Sequence, residues 1–264
     1  MDQSQHSGVG ASDSIILAAY SEVIATVSPI LVDRLGLVYG SWAIRLQSDS
    51  IPRLPQDLDL ELPGSSDDAA DVITLISSKT NLSVLRHEPM SFSDHRVRSP
   101  PVWRVLVRVE SDAGLGETVL LGLKLVPEPS SQRRSAKLVS HGQSVQVPVK
   151  PLENCIAQKV ARLSTRRSGS RVHTRWRDAM DLYDLLSSPR DRATSSALSS
   201  AIAQEWRTRS NTGAPTLLPA PAEWRDHWDS ACFYEGHPRP SPQAAVNAVN
   251  MTLAELLSGA PSAS

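Results

Sequence analysis

The sequence predicts an α+β fold, a mixed β-sheet with flanking helices followed by a C-terminal helical bundle. Three observations carry that reading. Ile16, Val23, Ile24, Val27 and Leu31 recur at helical spacing, so the chain opens with an amphipathic helix. Strand-like patterns follow, namely the acid–leucine alternation Asp57–Leu62 and the apolar stretches 102–110 and 118–126. After Pro151 the texture changes to helical repeats at about 152–167, 176–187, 192–208, 221–232 and 242–258.

Residues 1–13 are polar and are expected to be disordered. Asp13 or Ser14 can cap the first helix. Leu37-Val38-Tyr39 reads as a short buried strand ended by Gly40-Ser41, and 42–47 as a turn or two of helix. Pro52 and Pro55 force a loop before the 57–62 strand, and Asp67 and Asp68 open a helix carrying Val72, Ile73 and Ile76. Gly114 and Gly116 lie between the two long strands, as a hairpin connection needs, and a shorter strand lies near 144–149. The expected divisions are an α/β domain over 14–150, a helical domain over 151–259 and a frayed tail over 260–264.

The 264 residues carry 27 Lys and Arg against 28 Asp and Glu, which excludes a uniformly basic nucleic-acid coat and an acidic tail protein. Cys155 and Cys232 cannot build a multi-bridge framework, and no Cys/His cluster points to zinc. The N-terminus lacks the basic and apolar regions of a signal peptide, and no apolar run looks long enough to span a membrane. A cytoplasmic protein without a membrane segment is the expectation.

The neutral total hides local polarity. Asp49 to Asp71 holds seven acids and one Arg, while Lys159 to Arg177 holds seven Lys and Arg and no acid. On the 57–62 strand Asp57, Asp59 and Glu61 project to one side and Leu58, Leu60 and Leu62 to the other. Two such carboxylates, with Cα atoms about 6.6 Å apart, can lean together onto divalent cations. Glu61 is too far from Asp57 to share them, and the same string also fits a solvated acidic face. Gly40-Ser41, at the end of a buried strand and before a helix, offers backbone N–H groups and a hydroxyl to a phosphate. Lys159, Arg162 and Arg166 share one side of a helix, where Lys159 can grip a polyphosphate and the arginines attract a nucleic-acid backbone. A solvated basic helix gives the same pattern. Trp224 and Trp228, four apart, are read as core, and the seven histidines receive no role.

Taken together these segments resemble the AbiEii/AbiGii-type (MenT-like) nucleotidyltransferase toxins, a branch of the DNA polymerase β-like nucleotidyltransferase superfamily. The resemblance rests on Gly40-Ser41-Trp42-Ala43-Ile44-Arg45, on Arg53-Leu54-Pro55-Gln56-Asp57-Leu58-Asp59, on Glu153 through Lys159, Ala161 and Arg162 to Arg166, and on Arg177-Asp178 to Asp181-Leu182-Tyr183. It implies a nucleotidyltransferase-type sheet and an enzyme that moves a nucleoside monophosphate from an NTP to an RNA acceptor, the 3′ end of tRNA, releasing pyrophosphate. Growth would be blocked as in a type IV toxin–antitoxin system. The implied catalytic residues are Asp57, Asp59, Lys159 and Asp181, with Asp57 and Asp59 holding Mg²⁺ or Mn²⁺. Nucleotide binding falls to Gly40, Ser41, Arg45, Lys159, Arg162 and Arg166, and RNA binding to Arg166, Arg167, Arg171 and Arg175. A cognate antitoxin is the implied protein partner.

Three departures stand out. The gap between Ser41 and the acid pair is longer than in the wider superfamily, though it suits this branch. Pro55 replaces a serine that antitoxins phosphorylate in some relatives, so position 55 offers no hydroxyl for that mode of silencing. The 118–126 strand offers Lys124 where the superfamily often has a third metal-side carboxylate, so either Asp181 or another neighbour substitutes or the metal site is weaker. Two alternatives follow: the acceptor is a protein side chain or a small molecule such as an antibiotic, or the chain is a catalytically lapsed NTP- or RNA-binding relative.

Overall fold

The computed structural model describes residues 11–48, 53–90, 102–110, 116–165, 175–187, 195–209, 211 and 213–258. Among them the chain runs through helix α1 (Ala11–Asp33), strand β1 (Leu37–Tyr39), helix α2 (Gly40–Arg45), strand β2 (Leu58–Pro63) and helix α3 (Ala69–Ser77). Five strands follow: β3 (Leu82–Pro89), β4 (Val102–Val109), β5 (Glu117–Val126), β6 (Arg134–Ser140) and β7 (Gln143–Val149). The remaining helices are α4 (Leu152–Ser164), α5 (Trp176–Ser187), α6 (Ser195–Thr208), α7 (Trp224–Glu235) and α8 (Pro242–Ser258). Helix α1 thus begins inside the stretch expected to lack structure, whereas the tail 260–264 lies outside the described residues.

The chain divides into two compact units. One comprises Met1–Gln47 and Leu54–Pro151, the other Ser48–Arg53 and Leu152–Ser264. In the first, the seven described strands form one mixed sheet in the order β3-β4-β5-β2-β1-β7-β6. β2 lies between β1, to which it runs antiparallel, and β5, to which it runs parallel. Period-two alternation sorts the side chains. Leu58, Leu60, Leu62, Leu121, Leu123, Leu125, Val105 and Val107 are fully buried on one face. Helix α1 packs against β4, β5, β6 and β7 through Val23, Ile24, Val27, Ile30 and Leu31, and α3 packs on β3. Stripes of this kind are what a helix needs to bury one side on a sheet.

Two strands escape the sequence patterns. β3 and β6 are the outermost strands of the sheet, and most of their residues are exposed or half-buried. β6 joins β7 through a two-residue turn in which His141 and Gly142 both have positive φ (48° and 73°), the geometry that matches the twist of a hairpin. A further correction concerns α1. Ser14–Asp33 is long and apolar enough to cross a membrane by length and composition, contrary to the expectation that nothing in the chain is, and the sheet-facing side of this helix is buried.

The second unit is helical. α4 packs on α5 and α6, α5 on α7 and α8, and α8 also on α6 and α7. Ile156, Val160, Leu163, Met180, Leu182, Leu185, Ile202, Val246, Val249 and Leu253 form its interior. Trp224 and Trp228 are buried there too, the Trp228 indole N–H donating to the Pro240 carbonyl at 2.9 Å. Asn250 clips the connection before α7 by accepting from the Leu217 N–H at 2.8 Å and donating to its carbonyl at 3.2 Å.

The alternating acids of β2 do not share one environment. Glu61 is buried, accepting from Lys124 Nζ at 2.7 Å with Lys150 Nζ at 3.6 Å. Both amines also lie over the Tyr39 ring, 5.6 and 5.7 Å from its centroid. Burial alone would raise the Glu61 carboxyl, but Lys150 and Lys124 hold it below the usual carboxylate range. Glu61 is therefore a structural ion-pair member rather than part of a solvated face. Glu61→Ala should destabilise the protein by about 3 kcal/mol in urea unfolding, because it removes the buried carboxylate that both Lys124 and Lys150 face. A loss below about 1 kcal/mol, the level of an exposed pair, would contradict this.

Candidate active site

In the sheet unit, the loop 54–57 delivers Asp57 to the start of β2, where its side chain is exposed, and Asp59 follows inside the strand, half-buried. Asp59 is flanked in register by Tyr39 on β1 and Gly122 on β5. Its carboxylate occupies space that neighbouring side chains would otherwise fill. A Cβ on Gly122 would stand 2.6 Å from Asp59 Oδ1, and one on Gly40 would stand 2.5 Å from Oδ2. Gly40 opens α2 at φ 72°, a left-handed conformation that glycine adopts without steric cost. The Gly40-Ser41 turn and the second acid of the Asp-Leu-Asp string, far apart in sequence, thus meet. Ser41 and Arg45 lie on the same short α2, both half-buried.

Tyr20 of α1 joins this cluster, and nothing in its sequence context marks it. It is buried, its hydroxyl donates to the Gln56 carbonyl, and its ring lies 4.9 Å from that of Trp42 at 31°. Burial pushes its phenol up to about 12; a hydrogen bond with the Leu120 backbone opposes the rise, and the charges of Asp57 and Asp59 add to it.

Oxygen-rich carboxylates suit a hard divalent cation, and Mg²⁺ is commonly held by one or two of them together with substrate phosphates. Asp57 and Asp59 fit that donor set. β5 adds no acid beside them, since its register places Gly122 next to Asp59 and Lys124 next to Glu61. Among the described residues no three His, Cys, Asp or Glu side chains group as a larger metal site.

The helical unit holds a second cluster. Lys159 is buried in α4, its Nζ 2.5 Å from Asp178 Oδ1 and 2.9 Å from Asp181 Oδ2, both on α5. The amine expected to grip a polyphosphate is therefore held by two carboxylates of its own unit. Arg53 completes the network, donating Nε to Asp181 Oδ1 at 2.6 Å and Nη2 to Oδ2 at 2.7 Å. Asp181 is fully buried, with both oxygens engaged by cations. Burial opposes its ionisation, yet Arg53 and Lys159 hold its carboxyl far below the usual range. For Asp178 burial likewise opposes, and Lys159 and Arg162 prevail to lower the carboxyl. Lys159 and Arg53 are both shifted upward by these acids in spite of their own burial.

Arg162 is half-buried with Nη1 4.0 Å from Asp178, and its carbonyl accepts from Arg175 Nη1. Arg166, Arg167 and Arg171 lie outside the described residues. On α5, Asp184 accepts a two-pronged contact from Arg239, whose side chain is buried, at 2.9 Å from Nε and 2.7 Å from Nη2. Arg53 and Asp178 stand in the motifs that carry the resemblance but received no role, and Asp184 and Arg239 were not singled out as site residues. Buried guanidinium partners so far away along the chain leave no local spacing to read.

A family model described as "Nucleotidyl transferase AbiEii toxin, Type IV TA system" matches residues 33–248. No curated protein matches the sequence. Among solved structures, an antigenic nucleotidyltransferase-like protein from Paracoccidioides brasiliensis is similar at a TM-score of 0.40 and 17% identity, over 73% of this chain and 89% of that one.

Two outcomes follow from the geometry. Gly122→Ala should fold, since alanine tolerates an extended strand, but its methyl group must turn the Asp59 carboxylate aside. Nucleotidyl transfer should fall by about tenfold or more, with the thermal midpoint within a few degrees of wild type. Unchanged transfer would show that the lodged carboxylate is irrelevant. Separately, Asp178 and Asp181 have carboxyls lowered on folding, so their contribution is fully present above the unfolded value of about 4 and is lost as pH falls toward the folded values. Urea-unfolding free energy should decline steeply below about pH 4, and a flat profile down to pH 3 would contradict the network.

Proposed function

The chain belongs to the AbiEii nucleotidyltransferase toxin family of type IV toxin–antitoxin systems, and from that premise we propose that it transfers a nucleoside monophosphate from an NTP to an RNA acceptor, the 3′ end of tRNA. The acceptor oxygen forms a bond to the α-phosphorus, the bond from that phosphorus to the β-phosphate oxygen breaks, pyrophosphate leaves, and the hydroxyl proton passes to solvent water. The observation supporting this reading is the contact of the Asp59 carboxylate with Gly40, which joins an acid pair to a Gly-Ser turn.

Asp57 and Asp59 would hold Mg²⁺ or Mn²⁺, which when bound supplies charge neutralisation for the phosphate oxygens and a lowered pKa for the attacking hydroxyl. Asp59, wedged between two glycines, contributes a carboxylate of fixed direction, and the exposed Asp57 reaches the same ligand from the strand end. Gly40 and Ser41 donate to the β- and γ-phosphates, and Arg45 adds positive charge. In the helical unit the same reading assigns Lys159 to the triphosphate, with Asp178 and Asp181 orienting its amine. Arg162 and Arg166 belong with it, and Arg166, Arg167, Arg171 and Arg175 serve the RNA backbone through charge. Catalysis of this kind is mostly positioning and charge neutralisation, so a small set of residues suffices. The setting is cytoplasmic, and the protein partner is a cognate antitoxin that does not phosphorylate position 55, where Pro55 has no hydroxyl.

The test is purified protein with Mg²⁺, each labelled NTP in turn, and total tRNA, resolved on a gel beside a total-protein control. Label should enter RNA, and Asp57→Ala should abolish it while circular dichroism stays unchanged. An active Asp57→Ala protein refutes the metal assignment. RNase-resistant label points to a protein acceptor, and no labelling with either Mg²⁺ or Mn²⁺ marks a lapsed enzyme; both outcomes overturn the proposal.

A further inference from the structure

Asp57 lies at the end of the irregular loop 54–57, just before β2 begins, so the β2 ladder does not itself set its direction. Yet a cation shared by Asp57 and Asp59 needs both carboxylates at a fixed separation. Tyr20 touches both sides of that problem. Its hydroxyl donates to the carbonyl of Gln56, the residue immediately before Asp57. Its ring packs on Trp42, two residues after the Gly40 whose backbone borders the Asp59 carboxylate. Being buried in α1, Tyr20 is held by the same helix that covers the sheet core. It also lies ahead of the residues matched by the family model, 33–248, so nothing in that match assigns it a part.

We propose that Tyr20 is a positioning residue for nucleotidyl transfer: one side chain from the N-terminal helix fixes the Gln56–Asp57 loop through its hydroxyl and the Gly40-Ser41 turn through its ring. α1 is then part of the active-site framework. The inference rests on Asp57 and Asp59 being the cation ligands.

The mechanism is local. A peptide carbonyl tied to a buried hydroxyl cannot swing, and the peptide joining Gln56 to Asp57 is planar, so the start of Asp57 is held with it. Without the hydroxyl the loop samples orientations in which the Asp57 carboxylate points away from that of Asp59. The cation then meets one ordered carboxylate instead of two. The ring contact with Trp42 survives in a phenylalanine, so the two functions of the side chain are separable.

The experiment compares wild type with Tyr20→Phe, Trp42→Phe, Ser28→Ala and Asp57→Ala. Ser28 is another buried α1 hydroxyl, bonded to the Ile24 carbonyl at 2.6 Å and taking no part in the contacts of the acid pair, so its variant measures the cost of losing a helix hydroxyl. Each protein is titrated with Mn²⁺ alone, free ion being read by electron paramagnetic resonance, and kcat and KM for NTP are measured in parallel. Tyr20→Phe should weaken Mn²⁺ binding by about tenfold, the scale of one lost hydrogen bond. It should lower kcat with little change in KM, while Ser28→Ala matches wild type in both at a similar thermal midpoint. Trp42→Phe should move Mn²⁺ affinity in the same direction by a smaller factor. A folded Tyr20→Phe with wild-type Mn²⁺ affinity and kcat overturns the inference and leaves the nucleotidyl-transfer reading standing. Asp57→Ala binding Mn²⁺ like wild type overturns both, because the carboxylate assignment then fails.

Discussion

A carboxylate has room to lie close along a β-sheet where a neighbour has no side chain to contest the space. Asp59 meets that condition twice, with Gly122 beside it on β5 and Gly40 at the turn after β1. The rest of the sheet unit follows from this constraint. β2 must run between β1 and β5, the leucines alternating with the acids must face the core, and the chain must turn left-handed at residue 40. A Gly-Ser turn or an Asp-Leu-Asp string alone says little about chemistry. Each becomes specific through contact with the other, because functional groups then converge on one small volume.

Buried charge is handled by the same rule in three places. Glu61 is matched by Lys124 and Lys150, Asp181 by Arg53 and Lys159, and Asp184 by Arg239. Pairs of this kind add little net stability compared with an apolar core, but any one member left alone is costly. They specify which helix or strand stands beside which. The cluster around Asp181 draws on three segments: residue 53, α4 and α5. In Asp184 the balance runs the other way, burial raising the carboxyl above its ordinary value despite Arg239. Of the three buried acids, Asp184 is the one whose carboxyl is raised rather than lowered by its surroundings.

The sequence was most legible where one periodicity held over a full element. α1, β2, β4, β5 and the five late helices follow from apolar spacing, because each buries a complete stripe or face. β3 and β6 were missed because edge strands bury too little to alternate, although the His141-Gly142 pair marks the second hairpin. Local motifs identified Gly40, Ser41, Asp57 and Asp59 as a group, and the contact between Gly40 and Asp59 brings the two halves of that group together. Identical alternation gave no hint that Glu61 would be buried, since its surroundings depend on Lys124 of β5 and on Lys150, just past the end of β7. The contacts of Tyr20 and Arg53 were illegible for a related reason. Their partners are a backbone carbonyl 36 residues away and a carboxylate 128 residues away, and single-sequence spacing carries no record of either.

Residues 48–53 belong to the helical unit although the chain on either side of them belongs to the sheet. The boundary near Pro151 is therefore not a clean seam. A gene fusion or exon shuffle that exchanged everything after residue 151 would separate a guanidinium from the carboxylate it neutralises. Synthesis also proceeds in one direction, so a ribosome releases Arg53 well over a hundred residues before Asp181. Until the later helices emerge, that cation must stay hydrated, and the helical unit can complete its interior only by reaching back for a residue made long before.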